Sequence, residues 1–110
     1  MKTVIESDFE YSFALLQKDT YAVAKAHGFQ ETENNPLNVP TKLALIGTEV
    51  AEAIEWHRKG QPQELPHELA DIVIRTMDLA ESLGIDLASA ILTKHEFNKH
   101  REIKHGNKLY

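Results

Sequence analysis

The chain has 110 residues, 42% of them apolar, no cysteine and a formal net charge of −5. That length suits one domain, residues 1–110, with a single core; the charge argues against gripping a nucleic-acid backbone, which calls for a basic face. The missing cysteine excludes disulfides, thiolate zinc sites and cysteine nucleophiles; no apolar run approaches the roughly 20 residues of a membrane span, and residues 1–8 lack an export-signal pattern, so a cytoplasmic protein with no membrane partner is expected.

Four helices and no strand are predicted. The first covers about residues 8–27, where Phe9, Phe13, Leu16, Thr20, Val23 and His27 recur at intervals of three and four and Gly28 follows as a stop. Asn34, Asn35, Pro36, Asn38 and Pro40 mark residues 28–40 as a connecting loop. The second helix is expected over 40–59. Leu43, Ile46, Val50, Ala53 and Ile54 form its apolar stripe, Arg58 and Lys59 suit the negative end of its dipole, and Gly60 ends it. After a short turn at 60–65, Pro66 opens a third helix whose core face is expected to be Leu69, Ile72, Val73, Leu79 and Leu83. Gly84 reads as its C-terminal cap and Asp86 as the N-cap of a fourth helix, 87–104, with a tail at 105–110. Short connections between the last three helices imply antiparallel neighbours. The expected fold class is all-α, an antiparallel bundle of about four helices.

Two acidic pairs lie inside the second and third helices: Glu49 with Glu52, and Glu68 with Asp71, each spaced i, i+3. That spacing puts both carboxylates of a pair on one helical face, where they repel. Leu69 and Ile72 flank the second pair, so these acids stand at the border of an apolar stripe, where an unpaired carboxylate calls for a counter-charge. Two pairs facing each other across packed helices would offer oxygens to Mg²⁺, a hard cation that takes carboxylates, waters and phosphates in an octahedron. Lys42 and Trp56 fall on or near the face of the first pair, Arg75 and Asp78 on that of the second. The competing reading makes the acids ordinary solvated residues.

The fourth helix adds a second anomaly. Leu87, Ile91, Lys94, Asn98, Arg101 and His105 follow one another at steps of 4, 3, 4, 3 and 4. By period this stripe faces a core, yet it turns from apolar to cationic halfway along. Lys94 and Arg101 suit phosphate, the arginine through its planar fork and the lysine as a point charge. The alternative is a helix that outruns the core and carries surface cations. Among the histidines, Glu102 and His105 make one Glu-x-x-His, whereas a di-iron carboxylate bundle needs two. Trp56 reads either as a base-stacking residue or as core or interface.

Taken together, these motifs resemble the MazG-like family of all-α nucleoside triphosphate pyrophosphohydrolases. The family's E-x-x-E, spacer, E-x-x-D stands here as EVAE (Glu49 to Glu52), fifteen residues, then ELAD (Glu68 to Asp71). Its K-x-x-x-N-x-x-R stands as KHEFNKHR, with Lys94, Asn98 and Arg101. Its H-G-G-K tail stands as HGNK, with His105, Gly106 and Lys108, and Asn107 in place of the second glycine. The likeness covers about residues 40–108 and gives the first helix no motif. It implies a homodimer or homotetramer, and Mg²⁺ (with Mn²⁺ as a substitute) held by Glu49, Glu52, Glu68 and Asp71. It implies hydrolysis of a (deoxy)nucleoside triphosphate, canonical or not, to monophosphate and pyrophosphate, a house-cleaning activity on the nucleotide pool. On this likeness Lys94 and Arg101 bind phosphates and Asn98 contacts the substrate. Lys42, Trp56, His105 and Lys108 are further substrate-binding candidates, and Glu52 or Glu49 is the general base. Two other readings stand beside it: a non-catalytic helical interaction or nucleotide-sensing module, and phosphoribosyl-ATP hydrolysis, which the sequence around EVAE does not favour.

Overall fold

A computed structural model of the chain describes residues 1–28 and 38–101. It contains helices α1 (Val4–Ala26), α2 (Asn38–Arg58), α3 (Leu65–Ser82) and α4 (Leu87–Lys99), with a 3-10 turn, Pro62–Glu64, leading into α3. No strand occurs among the described residues, in keeping with the all-α expectation. No helix among them is long and apolar enough to cross a membrane.

Helix boundaries follow local chemistry. α1 begins at Val4 rather than at residue 8, because Thr3 and Glu6 form a capping box. The Thr3 hydroxyl accepts the Glu6 N–H at 3.0 Å, and the Glu6 carboxylate accepts the Thr3 N–H at 2.9 Å. α2 is described from Asn38 onward, so the helix already includes Pro40, the residue expected to open it. The rest of the expected 28–40 loop, residues 29–37, lies outside the described residues.

At the other ends, Gly60 and Gly84 have φ of 71° and 69°, a left-handed conformation that glycine adopts without strain. Each closes a helix. The N–H of Gln61 donates to Trp56 O at 3.1 Å, and that of Ile85 to Ala80 O at 2.9 Å, the long return bond of a Schellman cap. Asp86 caps α4 as expected, accepting the Ser89 N–H at 3.1 Å. α4 ends at Lys99 rather than at residue 104, and the tail expected at 105–110 lies outside the described residues.

Side-chain pairings set the helix directions. Lys42 meets Asp78, Glu49 meets Arg75, and Glu52 lies beside Glu68. Residue numbers rise along α2 as they fall along α3, so the two run antiparallel. α1 packs against α3, with Gln17 Nε2 donating to Glu81 Oε1 and to Ile85 O at 3.0 Å each. α4 packs against α1, although its short link joins it to α3. The expectation that sequence neighbours pack together therefore holds for α2 with α3 and gives way at α4.

Burial corrects the expected core. Among the described residues the buried apolar ones are Ala53 on α2, Met77, Leu79 and Ala80 on α3, and Ala88 on α4; Met77 is only 1% exposed. Leu43, Val50 and Ile54 of the α2 stripe, Leu69, Val73 and Leu83 of the α3 stripe, and Leu16 and Val23 of α1 are exposed. The α4 stripe is exposed from Ile91 through Lys94, Asn98 and Arg101. Gln17, Asn38, Lys42, Glu49 and Glu68 are buried instead. A 3.6-residue period groups residues on a face without saying what that face meets. Here ion pairs and the Gln17 hydrogen bonds give the polar faces of α1, α2 and α3 partners inside the bundle.

Candidate active site

The antiparallel register of α2 and α3 turns the two acidic pairs toward each other. One carboxylate oxygen from each of Glu49, Glu68 and Asp71 lies within 4.8 Å of the others. Glu49 and Glu68 are buried and Asp71 is exposed. The i, i+3 spacing on α3 delivers Glu68 and Asp71 from one face, and α2 supplies Glu49 opposite. Glu52 is exposed and stands outside this convergence, so three of the four expected ligands meet and the fourth lies alongside.

Glu68 bears the strain of this arrangement. Burial is the largest influence raising its carboxyl above the ordinary 4.5, followed by repulsion from Glu52; hydrogen bonding with Glu49 and Glu52 and repulsion from Glu49 raise it further. Its Oε2 is buried with no hydrogen-bond partner. A buried carboxylate oxygen without a donor, beside two further carboxylates, makes an all-oxygen donor set of net negative charge. Those donors fit a hard divalent cation.

Basic residues interleave with the acids. One turn beyond Asp71, Arg75 donates from Nε to Glu49 Oε1 at 2.8 Å. One turn further along α3, Asp78 Oδ2 lies 3.7 Å from Lys42 Nζ, with both side chains largely shielded from solvent. Beside these pairs opens a cavity of about 260 Å³. Its charged wall is formed by Lys42 and Glu49 from α2 and by Asp71, Arg75 and Asp78 from α3. Leu45 and Ile74 give it an apolar side, and α1 closes it with Thr20, Val23, Ala24 and His27. With a divalent cation on its carboxylates to offset their charge, a cavity that has an apolar wall opposite would suit a ligand with an anionic end and a flat or apolar end.

The remaining expected residues lie elsewhere. Trp56 is half-buried, does not line the cavity, and has Lys59 Nζ 5.5 Å from its ring centroid. Lys94 and Arg101 flank the exposed ring of Phe97, at 4.6 and 5.8 Å from its centroid, and Asn98 is exposed on the same helix. Arg101 lines a separate groove between α4 and the start of α1, together with Lys2, Glu6, Glu10 and Glu96. Within one chain, then, the α4 cations do not line the cavity beside the acidic cluster. His105 and Lys108 fall outside the described residues.

Sequence reasoning placed Arg75 and Asp78 on the acidic face without giving them a part in the site. Their spacing, four and seven residues after Asp71, was the available signal. Thr20 and His27 belong to the α1 stripe, and nothing in their spacing marks them as cavity residues. Compared with protein-family models, with curated proteins and with solved structures, the chain finds no match.

Proposed function

We propose that this protein is a Mg²⁺-dependent nucleoside triphosphate pyrophosphohydrolase, releasing a monophosphate and pyrophosphate. The observation that carries the reading is the convergence of Glu49, Glu68 and Asp71, with a buried Glu68 oxygen left without a donor. A divalent ion held there by these three residues would neutralise phosphate charge and make nearby water more acidic. Glu52, exposed at the edge of the cluster, takes the proton of the attacking water. The water oxygen bonds to phosphorus as the bond to the pyrophosphate leaving group breaks, and Lys42 meets the negative charge at the cavity wall.

Substrate binding by Lys94, Asn98 and Arg101 goes with a homo-oligomer, in which α4 of one subunit reaches the cluster of another. The exposed apolar residues of α2 and α3 support such an assembly. The test is pyrophosphate release, with Mg²⁺, from a panel of canonical and modified (deoxy)nucleoside triphosphates. Folded protein that releases none from any of them refutes the enzyme and favours the non-catalytic nucleotide-sensing module.

A further inference from the structure

Arg75 has no part in the motifs that suggested a metal site, yet it makes a charged hydrogen bond to one of the converging carboxylates. Its Nε donates to Glu49 Oε1 at 2.8 Å, a short charge-assisted bond. Glu49 is 7% exposed, so burial as well as the guanidinium limits how its carboxylate can turn. Arg75 is rooted on the same helix as Asp71, one turn on, so the bond ties α2 to the helix that carries the other two acids.

We infer that Arg75 selects the metal: by engaging Glu49 Oε1 it restricts Glu49 to a single ligand oxygen, which favours a small octahedral ion over Ca²⁺. This rests on the metal reading of the cluster given above. Mg²⁺ takes single carboxylate oxygens at tight octahedral positions, whereas Ca²⁺ accepts more ligands, among them carboxylates that bind through both oxygens. With Oε1 engaged by the guanidinium, the two-oxygen mode of Glu49 is disfavoured, since a metal there must share that oxygen with the N–H. Removing Arg75 frees Oε1 and opens it.

Loss of a positive charge also draws any divalent cation more tightly, and by the same Coulombic amount for two ions of equal charge and position. The ratio of dissociation constants, Ca²⁺ over Mg²⁺, cancels that effect and reports coordination geometry alone. The experiment is calorimetric titration of both ions into the full chain, without nucleotide, for the wild type and for R75M, R75A and R58M. R58M removes one charge at the exposed end of α2, away from the cluster. Hydrogen-bond partners of metal ligands typically set affinity by tenfold or more, so R75M and R75A, which leave no donor for Oε1, should each lower the ratio about tenfold, with R58M unchanged. Circular dichroism checks that each variant is folded; where R75M is not, R75A decides by the threefold limit. Wild type that binds Mg²⁺, with a folded Arg75 variant keeping the ratio within threefold, overturns this inference and leaves the metal site standing. Wild type that binds neither ion at millimolar concentration overturns both.

Discussion

Replacing Asp78 by asparagine tests whether the buried charge pairs hold the cavity in shape. Lys42 is 7% exposed, and its Nζ lies 3.7 Å from Asp78 Oδ2. At that separation and an effective dielectric of about 20, the attraction is about 4.5 kcal/mol before desolvation is subtracted. Removing one partner of a buried pair typically costs about 3–5 kcal/mol, because the other charge is stranded. Both groups make further interactions, which places D78N at the low end, about 3 kcal/mol. K42M should cost less than D78N, since Asp78 is nearer solvent and keeps water as a partner. The double variant K42M/D78N strands no ammonium and should be more stable than D78N alone. Urea unfolding followed by circular dichroism at 222 nm gives all four corners of this cycle. If D78N costs under about 1 kcal/mol and the two substitutions simply add, the pair is not an energetic unit and the reasoning fails.

Glu68 makes stability depend on pH. Its carboxyl is raised when folded, so the folded chain holds a proton there that the unfolded chain has released. In metal-free buffer, stability should fall as pH rises from 4.5 through the raised folded value, and E68Q should lack that decline, as read from melting temperature against pH. For the proposed reaction, E52Q and D71N should each abolish pyrophosphate release while far-ultraviolet circular dichroism keeps its helical form; full activity in either variant removes that residue from the chemistry. G84A places a side chain at φ 69° with open space around it, so strain alone acts and the loss should be about 1 kcal/mol in urea unfolding.

Helix number and most helix ends were legible because their signals are local. Pro66, Gly60, Gly84 and Asp86 each act within one turn of chain. The start of α1 was equally local, a Thr3-x-x-Glu6 box, but it precedes the apolar period and so escaped notice. The acidic pairs were legible as pairs, and their meeting followed from the short link between α2 and α3. What spacing did not carry was rotation about each helix axis. Leu43 and Lys42 are adjacent in sequence, and the structure exposes the first and buries the second. Arg75 and Glu49 are 26 residues apart, and only the register of two helices brings them into contact. The period of the α4 stripe suggested a core face, but the stripe is exposed from Ile91 onward; α4 lies on α1, and Lys94 and Arg101 stand near an exposed Phe97.

Leu43, Gly47, Val50 and Ile54 follow one another along α2 at steps of four, three and four, all of them exposed. Among the described residues this ribbon is apolar surface left in water, and covering it would add to what holds the chain folded. Were copies of the chain to cover the ribbon against one another, dilution would act as a denaturant, and the melting temperature would climb with the logarithm of protein concentration.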